Sequence, residues 1–365
     1  MQDRLHVKKD GQIIYDICFN NSFDALSDEL SALSYDSSVK IMIVTDTNVA
    51  PLYLEELKNS LINSFPNLFC YTFEAGEENK NLSSINEIYE SLIINKFERR
   101  DILIALGGGV TGDMTGFAAA TYLRGVDFIQ IPTTLISMSD SSIGGKTGVD
   151  FKSYKNMVGA FHMPRLVYMN FSLLKSLPKR ELCGGMGEVI KHGYIKDKAL
   201  LKRLYECKES ILKCDEDVLG EIIFANCNIK RAVVENDPTE KGERALLNFG
   251  HTGGHAIEKL MNFSLLHGEC VALGMCVAAY ISYKRGNITK EDYKQLKEIL
   301  TEYNLPTEIT PDGFNAINVI QTMKSDKKMD KGSLKFILLQ EVGNAIVDKT
   351  VTDNEIEEAL LTVLK

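Results

Sequence analysis

Along the first half of the chain, short β-rich apolar runs alternate with amphipathic stretches. The runs are "IIYDICF", "VKIMIVTD", "LFCYTF", "DILIAL" and "VDFIQIP", and a typical intervening stretch covers residues 81–95. Strand-like runs separated by helical spacing are the mark of βαβ units on a largely parallel sheet. After "RLVYMN" the pattern changes. From about 178 to 302 the apolar residues recur mostly at helical spacing, which predicts helices with few strands between them. The chain therefore reads as an α/β domain with a parallel sheet over residues 1–165 and a mainly α-helical domain over 166–365, with "HMP" near the change of course. No internal repeat or low-complexity segment interrupts either half.

One strand-like run leads directly into glycines. "DILIALGGGVTGDMTGFAAA" sets Gly107, Gly109 and Gly112 in G-x-G-x-x-G spacing between an apolar run and a small-residue helix. Glycines let the backbone approach a pyrophosphate, and the helix N-terminus that follows offers N–H donors and a positive dipole end. A tight strand-to-helix turn with no ligand would look the same, and Asp113 would then merely suit the start of a helix. In the standard dinucleotide arrangement the glycines follow the first strand and an acidic residue follows the second. Here the earlier run "VKIMIVTD" already ends in Asp46, with Asn48 close behind. These two side chains are placed to hold a ribose while the later glycines hold phosphates; the competing role for Asp46 is a cap ahead of the helix at Pro51. A second glycine-rich stretch, "DSSIGGKTG" at 140–148, closes like a phosphate-binding loop but fails its spacing, because Asp140 stands where a glycine is required. It leaves a run of small residues whose N–H groups can face a ligand, the carboxylate of Asp140 and the cation of Lys146. That set suits a phosphate or polyol better than a nucleoside triphosphate.

The chain has six histidines, and four of them, His192, His251, His255 and His267, fall in the helical half. "NFGHTGGHAIE" sets His251 and His255 four apart, on one face of a helix. It is not the zinc-protease pattern, since Thr252 takes the place of the glutamate. "LLHGE" adds His267, and "GGMGEVIKHG" adds Glu188 with Lys191 one turn on. Two histidines and a carboxylate would make a three-ligand site with an open position, the form of catalytic zinc. Spacing does not say which two histidines, and any one of them could instead be a hydrogen-bonded core residue. Cationic and amide side chains gather near these motifs: Lys155 and Asn156 beyond Lys146, then Lys230, Arg244 and Asn248 leading into the histidines, and Arg124 in "TYLRGVD". Such residues are often solvated surface, but grouped with glycine turns they form a pocket for an anion.

Composition narrows the partners. At 365 residues the chain exceeds the size of a single core, which agrees with two domains. A hydrophobic share of 44% and a charged share of 25% describe an ordinary globular protein. The net charge of −9 argues against nucleic acid or an anionic membrane as the main partner, so an anionic substrate needs cations gathered locally. Eight cysteines without a C-x-x-C pair, several inside apolar runs such as "CVALGMCVAAY", are expected to be reduced core thiols of a cytoplasmic protein. The N-terminal "MQDRLHVKKDGQ" has no apolar core, and the longest apolar run, about 270–281, is too short to span a bilayer, so neither export nor membrane insertion is expected.

Taken in order, "VTDTNVAPLY", "GEENK", "GGGVTGDMTGFAAATYLRG", "IPTTLISMSDSSIGGKTGVD", "KNMVGAF", "GEVIKHG", "LNFGHTGGHAIE", "LHGECVALGM" and "DKK" resemble the 3-dehydroquinate synthase family of sugar phosphate cyclases. The resemblance covers most of the chain. It implies a Rossmann-like N-terminal domain, an α-helical C-terminal domain, an active site between them and a homodimer. It also implies zinc, or cobalt in its place, on Glu188, His251 and His267, with His255 supporting the metal or contacting substrate. By the same resemblance, NAD contacts would fall on Asp46, Asn48, Glu77, Lys80, Gly108, Gly109, Val110, Asp113, Thr133, Thr134, Asp140 and Ser141. The substrate, a phosphorylated sugar acid, would meet Lys146, Lys155, Asn156, Lys191, Lys230, Arg244, Asn248 and His255. A lysine of "DKK", taken as Lys328, and Arg124 reaching in from a partner subunit would complete the set. The implied reaction is that of the shikimate pathway, from 3-deoxy-D-arabino-heptulosonate 7-phosphate to 3-dehydroquinate and phosphate, by transient oxidation with NAD, β-elimination, re-reduction and an intramolecular aldol step. Cyclases acting on substrates without the carboxylate, and polyol dehydrogenases of similar plan, are the nearest alternatives. The "DSSIGGKTGVD" and "KNMVGAF" stretches, with Lys230 and Arg244, favour the dehydroquinate pattern.

Overall fold

The computed structural model describes residues 4–152, 154–240, 242–327 and 334–365. The chain divides into two compact units, Met1–Leu177 and Pro178–Lys365. The first contains β1 (Arg4–Lys9), β2 (Gln12–Asn20), α1 (Leu26–Ala32), β3 (Ile41–Asp46), α2 (Ala50–Leu61), β4 (Leu68–Phe73), α3 (Leu82–Ile94), β5 (Ile102–Gly107), α4 (Gly109–Thr121), β6 (Asp127–Pro132), β7 (Lys146–Phe151), β8 (Tyr154–Phe161) and β9 (Leu166–Asn170). Seven strands form one sheet in the order β1-β2-β9-β6-β5-β3-β4, in which only the β1–β2 pair is antiparallel. The strands β7 and β8 form a separate antiparallel hairpin.

The central strands β3 "IMIVTD", β5 "ILIALG" and β9 "LVYMN" are buried at every position, as strands covered on both faces must be. Alternate residues feed two cores. Ile41 and Ile43 join Leu57, Leu61 and Ile104 on one face, while Met42 and Val44 join Ile85, Leu103 and Phe117 on the other. The chain runs from β3 out to β4 and then crosses back to β5 on the other side of β3, so the carboxyl ends of β3 and β5 flank a topological switch point. Open α/β sheets bind ligands at such points.

The second unit contains α5 (Lys179–Lys196), α6 (Lys198–Leu212), α7 (Glu216–Asn236), α8 (His251–Leu260), α9 (His267–Lys284), α10 (Lys290–Glu302), α11 (Ala316–Lys327), the hairpin β10 (Phe336–Glu341) and β11 (Asn344–Asp348), and α12 (Asp353–Leu360). Helix α9 is buried continuously from Gly268 to Ala279, and it packs against α5, α8, α10, α12 and β10 as the central helix of the unit. Among the described residues no helix is long and apolar enough to cross a membrane.

Alternating strands followed by helices appear as the sequence pattern predicts. The first unit extends past residue 165, because Leu166–Asn170 pairs with both β2 and β6 inside the main sheet. Three features lie outside the predicted pattern: β1, the β7–β8 hairpin and the β10–β11 hairpin. The β7–β8 hairpin is glycine-rich because its strands approach closely, and a Cβ on Gly159 would lie 2.2 Å from the Thr147 carbonyl oxygen.

Candidate active site

Strand β5 ends at Gly107 and α4 begins at Gly109, so the glycine run forms the strand-to-helix turn. A Cβ on Gly108 would press on Thr134 at 3.2 Å, one on Gly109 on Ser141 at 3.2 Å, and one on Gly112 would lie 2.8 Å from Gln130 Oε1 of β6. The third glycine thus lets the helix sit against the sheet, as in dinucleotide folds. At the neighbouring strand end Asp46 is buried with both oxygens engaged: Oδ1 accepts the N–H groups of Asn48 (2.9 Å) and Val49 (3.1 Å), and Oδ2 accepts the Thr111 hydroxyl (3.1 Å). It caps the turn into α2 and at the same time ties that turn to α4, where Val110 and Asp113 lie. Thr133 follows β6, its N–H bonded to Gly107 O at 3.0 Å, and its buried hydroxyl has no hydrogen-bond partner among the described residues. Thr134 and Ser137 bond to each other at 2.8 Å ahead of the helical turn that carries Asp140 and Ser141. A backbone cradle that any side chain would fill, beside an orphaned hydroxyl at a switch point, fits the pyrophosphate of a dinucleotide.

Lys80 links this region to the β7–β8 hairpin. Its Nζ donates to Asp113 Oδ2 (2.7 Å) and to Asn156 Oδ1 (2.6 Å), with Glu77 Oε1 3.9 Å away. Burial opposes the charge on Lys80, but Asp113 and Glu77 outweigh it and hold the ammonium above its ordinary pKa. The Lys80 carbonyl accepts the Asp150 N–H at 2.8 Å, and Asp150 accepts the Asn156 N–H at 2.7 Å, which holds Asn156 at a left-handed φ of 53°. Lys155 Nζ stands 3.9 Å from Glu77 Oε1. Lys146 opens β7 and is exposed. Arg124 is exposed in the turn after α4, where Leu123 and Arg124 take φ of 49° and 69°.

The second unit brings Glu188 of α5, His251 and His255 of α8 and His267 of α9 together, and glycines beside them set the spacing. A Cβ on Gly187 would lie 2.7 Å from Gly268 O, one on Gly268 1.8 Å from Gly184 O, and one on Gly250 2.6 Å from Val271 O. Main chain therefore touches main chain where α5, α8 and α9 meet. Gly250, at φ 84°, also provides the left-handed cap from which α8 starts at His251.

Glu188 is fully buried. Its Oε2 accepts from Lys191 Nζ, while Oε1 has no hydrogen-bond partner among the described residues and faces His251 Nε2 at 3.6 Å and His267 Nε2 at 3.5 Å. Burial alone would raise the Glu188 pKa, but the Lys191 ammonium and the two imidazoles outweigh it and hold the carboxyl well below its ordinary range. Burial and the Lys191 charge push the His251 pKa well below its usual value. Burial also works against the His267 charge, yet contacts with Glu188 and Glu258 overcome it and push that pKa up to about 9. The three imidazole rings lie 5.1 to 5.5 Å apart between centroids, and their nitrogens approach within 4.8 Å of one another, with His255 the exposed member. A buried carboxylate oxygen without a donor, faced by imidazole nitrogens, is the donor set of a divalent cation such as Zn2+.

Buried cations stand nearby in sequence. Lys230 of α7 and Arg244 of the turn 243–248 are both buried, which is rare for these residue types. Arg244 Nη1 donates to Pro238 O at 2.8 Å, and Asn248 Nδ2 donates to Glu240 Oε1 at 2.8 Å. Lys328 lies outside the described residues.

Three residues that the motifs did not single out support the histidines. Arg180 grips Glu269 through Nε (2.8 Å) and Nη2 (2.7 Å) and also donates to Ser264 O (3.2 Å), while Glu269 Oε2 accepts the Leu266 N–H at 2.8 Å. This clamp secures the turn from which His267 begins α9. "LLHGE" carries its signal, since Glu269 stands three residues after the capping position. The third is Glu258, seven residues after His251 and hence on the same face of α8.

Known proteins resemble this chain in both sequence and fold. Residues 70–184 match the model of the 3-dehydroquinate synthase N-terminal domain and residues 185–329 that of the C-terminal domain. A 3-dehydroquinate synthase of Acetivibrio thermocellus is 44% identical over 325 residues, 89% of this chain and 90% of that one. One from Psychrobacter cryohalolentis is 46% identical over 329 residues, 90% and 88% of the two chains. Among solved structures, 2-epi-5-epi-valiolone synthase from Streptomyces hygroscopicus subsp. jinggangensis 5008, with NAD+ and Zn2+ bound, superposes with a TM-score of 0.87 over 98% of this chain and 99% of that one, at 26% identity. The higher identity to the synthases that make dehydroquinate, sustained over about nine tenths of the chain, decides between these relatives: the chain belongs to the 3-dehydroquinate synthase family.

Proposed function

We propose that the protein converts 3-deoxy-D-arabino-heptulosonate 7-phosphate to 3-dehydroquinate and inorganic phosphate, as a cytoplasmic step of the shikimate pathway. The observation that carries this reading, within a chain of this family, is the buried Glu188 Oε1 lying between His251 Nε2 and His267 Nε2. Glu188, His251 and His267 would hold Zn2+, or Co2+ in its place. The glycine turn, with Asp46, Asn48, Glu77, Lys80, Asp113, Thr133, Thr134, Asp140 and Ser141, would hold NAD. When bound, the metal supplies Lewis acidity toward the substrate's hydroxyls, and NAD supplies a transient oxidation that acidifies the neighbouring C–H.

The chain's own side chains do the rest. Lys191 donates to Glu188 and so keeps that carboxylate ionised although it is buried. Lys230, Arg244 and Asn248 offer donors for the substrate's carboxylate and hydroxyls, and the planar fork of Arg244 matches a carboxylate. Lys146, Lys155, Asn156 and Arg124 would hold the phosphate, orienting one of its oxygens to take the acidified proton before phosphate leaves. Holding Asn156 from Lys80 restricts that group before substrate arrives.

We also infer a homodimer in which Arg124 serves the partner's site. Its support is that Leu123 and Arg124, exposed in the turn after α4, are two successive left-handed residues, a costly conformation that is characteristic of functional positions. None of the eight cysteines is in a disulfide, which suits the cytoplasm. Mixing inactive Arg124→Ala and inactive Lys155→Ala subunits should restore about a quarter of wild-type activity, because half the dimers are mixed and each has one intact site. No recovery on mixing would place Arg124 in its own subunit's site.

The reaction is tested by phosphate release from the heptulosonate phosphate with catalytic NAD and zinc, reading the product's mass from the same tube. Phosphate with dehydroquinate and no lasting NADH is expected. Net NADH accumulation without phosphate would replace the synthase by a polyol dehydrogenase.

A further inference from the structure

His267 is held at both its backbone and its ring. Its backbone begins α9 at a turn held by the Arg180–Glu269 clamp, and its ring lies between two carboxylates on opposite edges. Nε2 faces Glu188 Oε1 at 3.5 Å, and Nδ1 faces Glu258 Oε2 at 3.7 Å. Glu258 is only 4% exposed. Burying a carboxylate is costly, so its persistence beside an imidazole calls for a role.

We propose that Glu258 is a positioning residue for the metal site: it accepts a hydrogen bond from the Nδ1–H of His267, which keeps the ring's proton on Nδ1 and leaves the Nε2 lone pair directed at the space shared by Glu188 Oε1 and His251 Nε2. A neutral imidazole carries its proton on one nitrogen only, and the partner of that nitrogen decides which one remains for a metal. Metal-binding histidines commonly donate their other N–H to a carboxylate, which also fixes the ring plane. Glu258 lies on the helix that His251 starts, two turns further on, so one rigid element carries a ligand and the group that orients the next ligand. The inference rests on the metal site proposed above.

The test compares wild-type protein with E258Q and E258A, measuring Zn2+ affinity by chelator competition and the visible spectrum after Co2+ loading. NAD affinity and thermal melting serve as controls. Loss of the acceptor in E258A is expected to weaken Zn2+ binding about 10- to 100-fold and alter the Co2+ spectrum. E258Q keeps a neutral acceptor of nearly the same shape and should lose several-fold, since a charged acceptor is roughly twice as strong. If E258A fails to fold, that loss in E258Q decides the matter. Either folded variant binding Zn2+ within about twofold of wild type, with an unchanged Co2+ spectrum, would overturn the role of Glu258 while leaving the metal site standing. Wild-type protein that takes up neither ion would instead overturn the metal site, and this role with it.

Discussion

Replacing Gly268 by alanine should part the helices that carry the proposed metal ligands. The added Cβ would lie 1.8 Å from the Gly184 carbonyl oxygen, whereas ordinary contact begins at 3.4 Å, so α5 and α9 must separate by about 1.6 Å at that point. Neither partner is a side chain that can rotate away, and the strain falls on main chain. Metal sites tolerate errors of roughly 0.2 Å in ligand distance, several times less than this displacement. Zn2+ affinity should therefore fall by about 100-fold or more, while overpacking costs roughly 1–3 kcal/mol and lowers the melting temperature by a few degrees to about 10 °C. Chelator competition and far-UV circular dichroism on the same preparation give both numbers. Gly286→Ala is the control: it adds strain at φ 77° but meets nothing within 4 Å, so it should cost about 1 kcal/mol and leave metal affinity intact. Wild-type Zn2+ affinity and melting in Gly268→Ala would show that this contact does not set the site, and the reasoning from glycine spacing would fail.

Other expectations follow from separate contacts. His251→Ala should abolish bound zinc and activity together, whereas His255→Ala should retain the metal; a metal-free His255 variant would mean that ligand and neighbour have been exchanged. Lys80→Met removes charge-assisted bonds to Asp113 and Asn156, so the Kd for NAD and the KM for substrate should both rise, by about tenfold or more; weaker NAD binding with an unchanged KM would break the proposed link between the two sites. Arg285 hydrogen-bonds Glu355 and lowers its pKa to about 2, below the ordinary carboxylate value. A depressed folded-state pKa stabilises above the unfolded pKa near 4.3 and loses that effect as pH falls toward 2. The pair is partly solvated, so Glu355→Gln should cost about 1 kcal/mol at pH 7, with a melting difference that shrinks as pH falls from 5 to 3; a pH-independent difference would refute the pairing.

Much of the fold was legible because its signals are local. The buried runs of β3 and β5, the glycines between β5 and α4 and the helical spacing beyond 178 each report the burial of a residue relative to its own neighbours, and the structure has these elements where they were read. Elements with a weak local signal do not show in the pattern of residues. The β7–β8 hairpin has little alternation, because it is built on glycines that let two backbones meet, and β9 belongs with the first unit through pairing with strands β2 and β6, which no window of sequence contains. Asp46 shows the same limit, since cap and ligand roles look alike in sequence, and its bonds to Asn48, Val49 and Thr111 show it capping the turn into α2 and tying that turn to α4. The sequence by itself determined which chemical groups are available: a glycine turn between strand and helix, a carboxylate with several imidazoles in the helical half, and lysines and arginines beside them. Only the tertiary structure decided that Glu188 Oε1 faces His251 and His267, that Glu258 sits behind His267, and that Lys80 joins Asp113 to Asn156. The reason is physical: these groups come from separate elements, and their distances are set by how closely the backbones of α5, α8 and α9 approach at Gly184, Gly250 and Gly268, which depends on packing between helices rather than on the order of residues within any one of them.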